Sequence, residues 1–259
     1  NTLGDTPIGP SRIVEDNHKS SQLIQIKDDM WTLIKNIEMQ SQTPCISCIG
    51  NSRDGKSTFM NLLCDYFLSK SNCENKIYEP FIAMQSDDAI THGIDYYLVE
   101  NECLLVDTQG VPQLGDAKHD HILMLITYLI SDIIILTVRQ RLDNQVFSNL
   151  SPLFSFLSQI ENKFKKNNKS KLVIRIKDFQ NTQALKDPLY LDQLVNKWLT
   201  CTGDQNDQIK NIFKQTFDIY SVATFDLEYE SKDTKTLNIH SDTFFQLNQT
   251  ETEELVQKV

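Results

Sequence analysis

The segment Gly50-Asn51-Ser52-Arg53-Asp54-Gly55-Lys56-Ser57-Thr58 is the feature that most constrains how this chain can fold. It follows the apolar run 43–49 and precedes the run 59–63, whose apolar residues recur at helical spacing. A glycine, four residues and then Gly-Lys-Ser form the pattern of a phosphate-binding loop, which is specific only between a strand and a helix. Both elements are predicted here, so we expect residues 50–57, the phosphate loop, to connect a buried strand to a helix.

Strand-like runs and helical stretches alternate along the chain. Strands are predicted at 44–49, 80–84, 95–99, 103–106, 133–138 and 172–176. Helices are predicted at 21–39, 56–69, 117–130, 143–165 and 188–200, with another helix and strand after residue 204. Several strands are continuous Val, Ile and Leu blocks, which is typical of strands buried on both faces of a parallel sheet. The pattern predicts an α/β fold, doubly wound, with a mostly parallel central sheet and helices on both faces.

The length and charge of the chain limit its organisation and its partners. A chain of 259 residues suits one large α/β domain. We expect a partly ordered N-terminal extension over 1–20 and the main domain over 21–240. Residues 241–259 are expected to form its last helix or the start of a link to an absent helical domain. The net charge of −10 argues against nucleic acid as a partner, because an acidic surface repels a phosphate backbone.

Two stretches of the sequence raise the possibility of a membrane span and of a cysteine site. The apolar stretch 121–138 is interrupted by Ser131-Asp132, and neither half reaches the roughly 18 to 20 apolar residues that a span requires. It predicts a helix, a turn and a buried strand. Cys45 and Cys48 have CxxC spacing, but no second pair follows, so buried strand thiols are expected rather than a zinc or redox site. Sparse cysteines of this kind favour a cytoplasmic protein.

The chemistry of a phosphate loop assigns roles to its residues. Lys56 would reach the β- and γ-phosphates, and the Ser57 hydroxyl would bind Mg²⁺. Inward-pointing N–H groups and the helix N-terminus would surround the phosphates. The other loop residues expected to bind nucleotide are Asn51, Ser52, Arg53, Asp54, Gly55 and Thr58.

Two further positions complete the predicted metal site. Asp107 follows the apolar run 103–106, as expected of the acid that holds Mg²⁺ through water, and the Gly110 N–H would contact the γ-phosphate. Thr91 lies between the two motifs and is expected to offer its hydroxyl to Mg²⁺ in the triphosphate state. The predicted metal ligands are therefore Ser57, Thr91 and, through water, Asp107.

The base-binding position is less specific. No Asn-Lys-x-Asp motif occurs in the chain, but Lys177-Asp178 follows the strand predicted at 172–176. A carboxylate such as Asp178 can accept hydrogen bonds from N1–H and N2–H₂ of guanine, and adenine offers no matching pair of donors. The same two residues also fit an ordinary solvated strand end, and the residues alone leave both interpretations open.

Four motifs together resemble those of a known family. They are the phosphate loop, Thr91-His92-Gly93-Ile94, Asp107-Thr108-Gln109-Gly110 and Lys177-Asp178. In order and approximate spacing they resemble the guanine-nucleotide motifs of the guanylate-binding protein and atlastin family of dynamin-related large GTPases, over most of the chain. The resemblance implies a GTPase G domain that binds GTP and GDP with Mg²⁺ and forms a GTP-dependent homodimer. It also implies that Arg53 is an arginine finger supplied in cis, which joins Lys56, Ser57 and Thr91 as the catalytic group.

Some positions depart from the family pattern. Lys177 stands in place of arginine, His92 in place of lysine, and Val111 follows Gly110, so no glutamine orients water there. The family's roles in membrane remodelling or fusion and in host defence depend on other segments. The resemblance therefore implies membrane contact only through segments absent from this chain, at the cytosolic face of an internal membrane. Two alternatives stay open: a nucleotide-gated dimerisation module with little hydrolysis, and a P-loop ATPase.

Overall fold

The computed structural model describes residues 11–15, 25–26, 43–70, 80–83, 93–99, 102–110, 117–151, 170–177, 189–200 and 207–224. Its strands are β1 Ser11–Glu15, β2 Gln25–Ile26, β3 Cys45–Gly50, β4 Ile94–Val99, β5 Cys103–Thr108, β6 Ile133–Arg139, β7 Ser170–Lys177 and β8 Phe217–Thr224. Its helices are α1 Lys56–Lys70, α2 Ala117–Ile130, α3 over 144–151, α4 Tyr190–Thr200 and α5 Asp207–Thr216.

The eight strands form one sheet in the order β2-β1-β4-β5-β3-β6-β7-β8. The five strands β5, β3, β6, β7 and β8 are parallel to one another, and the pairs β4–β5, β1–β4 and β1–β2 are antiparallel. The predicted α/β class with a mostly parallel central sheet is confirmed. β4 and β5, which follow β3 in the chain, lie on one side of β3, and β6, β7 and β8 lie on the other. The strand order therefore reverses at β3. In open α/β sheets, the crevice at such a reversal is where ligands bind.

The strand sequences explain why helices cover both faces of the sheet. Every residue of β3 and β5 is buried, as expected for continuous apolar strands in the centre of a sheet. Alternation along β6 directs Ile133 and Ile135 into the apolar cluster formed with α1. It directs Ile134 and Leu136 into the opposite cluster, to which α2, α3, α4 and α5 all contribute.

One predicted strand is wrong, and one predicted helix is contradicted at two residues. Residues 80–83 were expected in a strand and are not in one. The backbone N–H and carbonyl of Phe81 form hydrogen bonds with the Asn61 side chain instead of with a neighbouring strand. The amide nitrogen of Phe81 donates to Asn61 Oδ1 at 2.9 Å, and its carbonyl accepts from Asn61 Nδ2 at 2.8 Å. Within the stretch 21–39, where a helix was predicted, Gln25 and Ile26 form β2 and pair with β1, so the prediction is wrong at these two residues. The rest of 21–39 lies outside the described residues.

Other boundaries agree with the sequence pattern. The stretch 121–138 divides at Ser131-Asp132 into the end of α2 and the start of β6, as predicted. The segment expected to be an N-terminal extension contributes β1, which pairs with β4. Of the helix expected over 143–165, residues 144–151 are described, and 241–259 lie outside the described residues. Among the helices of the described ranges, none is both long and apolar enough to cross a membrane.

Phe213 is the residue whose removal should most clearly test the packing of α5 on the sheet. Its ring is 1% exposed and meets Phe147 and Phe217 edge to face, with centroid distances of 6.1 and 5.6 Å. We expect Phe213→Ala to lower the free energy of unfolding by about 3 to 5 kcal/mol, because the change would leave a cavity and remove both aromatic contacts. Urea denaturation monitored by circular dichroism measures the change. Leu189→Ala is the control: its side chain is 63% exposed, and a change within about 0.5 kcal/mol is expected.

Candidate functional site

The phosphate loop begins where β3 leaves the centre of the sheet. Gly50 has φ +151°, and a Cβ built on it would lie 2.5 Å from the carbonyl oxygen of Thr137 on β6. No other residue fits this position without moving the neighbouring strand. The glycine therefore allows β3 to stay paired with β6 up to its last residue and then turn above the carboxyl edge of the sheet.

The loop is folded by two residues in left-handed conformations and by an internal turn. Arg53 has φ 68° and Gly55 has φ 73°. The backbone N–H of Asn51 donates to Asp54 Oδ2 at 3.2 Å, and the backbone N–H of Asp54 donates to the Asn51 carbonyl at 3.4 Å. Left-handed residues among right-handed ones turn successive N–H groups towards one side, which is how backbone concavities bind anions. α1 begins directly afterwards at Lys56 and aims the positive end of its dipole into the loop.

Lys56 is the cation at the centre of the loop. It is 6% exposed, and its Nζ donates to the Asn51 carbonyl oxygen at 2.9 Å. A buried ammonium is stable only where oxygen atoms surround it, so the loop carbonyl holds the charge in place. Phosphate oxygens are stronger acceptors than a carbonyl and would compete for the same Nζ protons.

Ser57 and Asp107 come from different elements and meet at the edge of the sheet. Ser57 Oγ donates to Asp107 Oδ2 at 2.6 Å, and Thr108 Oγ1 on β5 donates to the Cys48 carbonyl at 2.7 Å. The second bond fixes the end of β5 against β3. A hydroxyl and a carboxylate are oxygen ligands of the kind that Mg²⁺ prefers, so this pair fits a hydrated Mg²⁺ that also binds phosphates. Asp95 of β4 lies directly opposite Asp107 in the strand register.

Gly110 and Gln109 connect the end of β5 to its surroundings. A Cβ built on Gly110 would lie 2.4 Å from both Cα and N of Ser52, so this glycine packs directly against the phosphate loop. The Gln109 backbone N–H donates to the Gly93 carbonyl at 2.8 Å, and its side-chain Oε1 accepts from the Gly93 N–H at 2.9 Å. Gln109 Nε2 lies 3.4 Å from Asp120 Oδ1 in the first turn of α2.

The Lys177 side chain extends from the end of β7 over the loop. A Cβ built on Gly55 would lie 3.5 Å from Lys177 Nζ. Burial raises the pKa of the Asp54 carboxyl, while the charges of Lys56 and Lys177 and the hydrogen bond from Asn51 act in the opposite direction. Lys177 thus lies next to the phosphate loop, and its predicted contact with a base stays a prediction.

The predicted site residues divide into two groups. The structure brings together residues of the phosphate loop, the end of β5 and the end of β7: Asn51, Ser52, Arg53, Asp54, Gly55, Lys56, Ser57, Thr58, Asp107, Gly110 and Lys177. Thr91 and Asp178 lie outside the described residues, so their predicted roles as a Mg²⁺ ligand and as a guanine acceptor stay predictions. Arg53 is exposed on the loop.

Sequence reasoning missed several residues that support the loop. Asn149 of α3 donates through Nδ2 to Asn51 Oδ1 at 2.9 Å, and accepts from Gln145 Nε2 at 2.9 Å. No local pattern connects Asn149 to a residue 98 positions earlier. The sequence contained a weak indication for Asp95, because a charged residue is unusual in an otherwise apolar and aromatic strand. Gln109 was noted only as part of the motif Asp107-Thr108-Gln109-Gly110, and its side-chain partners are known only from the tertiary structure.

In the part of the chain that the structure describes, no group of three or more His, Cys, Asp or Glu side chains is arranged to hold a metal ion. Magnesium in a phosphate loop needs no such group, because one or two protein oxygens, water and phosphates complete its shell. Comparison with known protein families finds no family model that matches this chain, and comparison with curated proteins finds no match. Function must therefore be inferred from the residues of the site.

The CxxC residues lie on opposite faces of the sheet. Cys45 packs with α2, and Cys48 with α1, as residues three apart in a strand must. Neither cysteine forms a disulfide, and both are buried. Burial raises the pKa of the Cys48 thiol to about 11, and the Asp107 carboxylate acts in the same direction. The arrangement excludes a disulfide between the two residues.

We expect the Cys48 thiol of the folded protein to resist alkylation at pH 8, because thiolate is the reactive form and its pKa is raised from 9.0 to about 11. Iodoacetamide labelling followed by peptide mass spectrometry measures this, with the urea-unfolded chain as the control that should react. The Cys48 thiol ionises at a lower pH in the unfolded chain than in the folded protein. Its contribution to the free energy of unfolding should therefore fall as the pH rises from 9.0 towards about 11. Rapid labelling of folded Cys48 at pH 8 would contradict the burial.

Proposed function

We propose that this chain is a GTP-binding and GTP-hydrolysing G domain of a dynamin-related large GTPase, which dimerises when it binds GTP. The observation that carries the proposal is the pairing of two contacts at one edge of the sheet. Lys56 Nζ lies 2.9 Å from the Asn51 carbonyl, and Ser57 Oγ lies 2.6 Å from Asp107 Oδ2. A phosphate-binding cation and a metal-binding pair are thus adjacent, at the point where the strand order reverses.

Each contact has a function in binding a triphosphate. Phosphate oxygens would replace the Asn51 carbonyl as the acceptor of Lys56, and the loop N–H groups would donate to the β-phosphate. Ser57 would exchange its bond with Asp107 for a bond to the metal, while Asp107 would hold a metal-bound water. Mg²⁺, when bound, neutralises charge that develops on the β- and γ-phosphate oxygens. Gly110, packed against Ser52, would present its N–H to the γ-phosphate.

Hydrolysis on this proposal depends on positioned charge rather than covalent chemistry. Arg53 is exposed on the loop, and on this proposal a rearrangement of the loop brings its guanidinium to the γ-phosphate. Closure of a second copy over the nucleotide supplies that rearrangement and excludes water, which strengthens the attraction between the guanidinium and the transition-state charge. The dimer is therefore part of the proposed catalytic mechanism.

Base recognition is assigned to the end of β7. Lys177 lies over Gly55, and Asp178 follows it in sequence. The aliphatic stem of Lys177 supplies an apolar surface for the base, and a carboxylate at Asp178 would accept from guanine N1–H and N2–H₂. Competition by ATP as strong as that by GTP would favour the ATPase alternative, and dimerisation without phosphate release would favour the nucleotide-gated module. The resemblance favours membrane remodelling or fusion, or host defence, as the role of the whole protein.

Lys56→Ala tests the phosphate loop. The change removes the buried ammonium that would bind the β- and γ-phosphates, so we expect Mg²⁺–GTP affinity to fall by about a hundredfold. Isothermal titration calorimetry with a non-hydrolysable GTP analogue measures it, and thermal melting confirms that the variant is folded. Lys197→Ala is the matched control, because Lys197 is an exposed lysine on α4. Equal affinity of the native chain and Lys56→Ala would refute the proposed phosphate site.

Arg53→Ala tests catalysis and dimerisation together. We expect GTP affinity to stay within about threefold and kcat to fall at least about a hundredfold, because the guanidinium interacts only with the transition state. Phosphate release per molecule of the native chain should rise with protein concentration, and GDP with aluminium fluoride should produce dimers in light scattering. Lys197→Ala is again the control. Turnover that is independent of concentration and insensitive to Arg53→Ala would exclude the arginine-finger mechanism.

A further inference from the structure

The hydrogen-bond network around Gln109 has no assigned function in the mechanism above. β4 and β5 pair as an antiparallel ladder that ends with Ile94 opposite Thr108. The next rung is incomplete: the Gln109 backbone N–H donates to the Gly93 carbonyl, but the Gly93 N–H is bound by the Gln109 side chain at 2.9 Å. One residue thus holds both backbone groups of Gly93.

Burial makes this arrangement costly to change. Gln109 is 2% exposed and Asp120 is 4% exposed. Gln109 Nε2 faces Asp120 Oδ1 at 3.4 Å, the long end of hydrogen-bond distances, so the amide is oriented with Oε1 towards Gly93 and Nε2 towards the carboxylate. A buried polar group that loses its partner costs more than the bond itself contributes. The side chain of Gln109 therefore has one favourable orientation.

The position of Gln109 links this network to the phosphate loop. Gly110 follows it directly, and a Cβ on Gly110 would lie 2.4 Å from Ser52 Cα. Fixing Gln109 on both sides, through Gly93 and through Asp120 on α2, fixes the peptide that carries the Gly110 N–H. A shift of this peptide by about a few tenths of an ångström would move the Gly110 N–H relative to the γ-phosphate, while the contacts of the loop with the β-phosphate would stay the same.

We infer that Gln109 and Asp120 are positioning residues that hold the Gly110 N–H at the γ-phosphate position and so set the preference of the site for triphosphate over diphosphate. The inference rests on the proposed nucleotide site. It differs from a purely structural role in one measurable respect. A structural cap would affect both nucleotides alike, whereas a positioned γ-phosphate donor acts on the triphosphate alone.

A pair of exchanged substitutions tests the inference. Gln109→Glu puts a second carboxylate against Asp120, and Asp120→Asn in the same chain restores one donor and one acceptor in that contact, with the Gly93 N–H still bound. Affinities for a non-hydrolysable GTP analogue and for GDP, both with Mg²⁺, are measured by calorimetry. We expect Gln109→Glu to weaken binding of the analogue about tenfold and GDP less than about twofold, and the double variant to recover to within about threefold of the native chain.

Controls separate this inference from the proposed function. Gln193→Ala, an exposed glutamine on α4, should change neither affinity. If Gln109→Glu does not fold, Gln109→Ala and Asp120→Ala each remove one side of the contact and should show the same selective loss of the analogue. Equal losses for both nucleotides, or no recovery in the double variant, would overturn the inference and leave the nucleotide site intact. Failure of the native chain to bind either nucleotide would overturn the proposed function and the inference that rests on it.

Discussion

The absence of a side chain at Gly50 is the constraint on which the rest of the site depends. β3 is paired on both sides and buried on both faces, so its last residue can turn only where the neighbouring strand leaves room. The Thr137 carbonyl would lie 2.5 Å from any Cβ at this position. Because Gly50 has none, the chain turns at once above the sheet. The turn brings Lys56 and Ser57 to the carboxyl ends of β5 and β6, where Asp107 lies.

Opposite charges lie close together in the phosphate loop. The chain carries a net charge of −10, so a phosphate cannot be attracted by its surface as a whole. On the proposed function, the attraction would come from local cations: Lys56 is buried in the loop, and Lys177 lies over Gly55. Asp54 interacts with both, although burial raises its pKa. A bound phosphate would replace loop oxygens around Lys56, which makes ligand binding an exchange of partners for an already desolvated cation.

Helix α1 couples the loop to the core. Phe59, two residues after Ser57, lies beneath the guanidinium of Arg175, whose Cζ is 4.1 Å from the ring centroid. Two residues later, Asn61 binds both backbone groups of Phe81. The helix that carries Lys56 and Ser57 therefore also positions β7 and the segment 80–83. A displacement of α1 on nucleotide binding would reach both, since packed interiors transmit strain rather than absorb it.

The sequence by itself determined the class of the fold and the elements that surround the phosphate loop. The continuous apolar strands, the break at Ser131-Asp132 and the glycine-lysine loop are local patterns, and local patterns follow from backbone and side-chain geometry within a few residues. Only the tertiary structure decided that residues 80–83 leave the sheet and that Gln109 binds Gly93 and faces Asp120. These contacts join residues from separate elements, and a buried polar group takes whichever partner the packing brings within reach, which no pattern of neighbouring residues encodes.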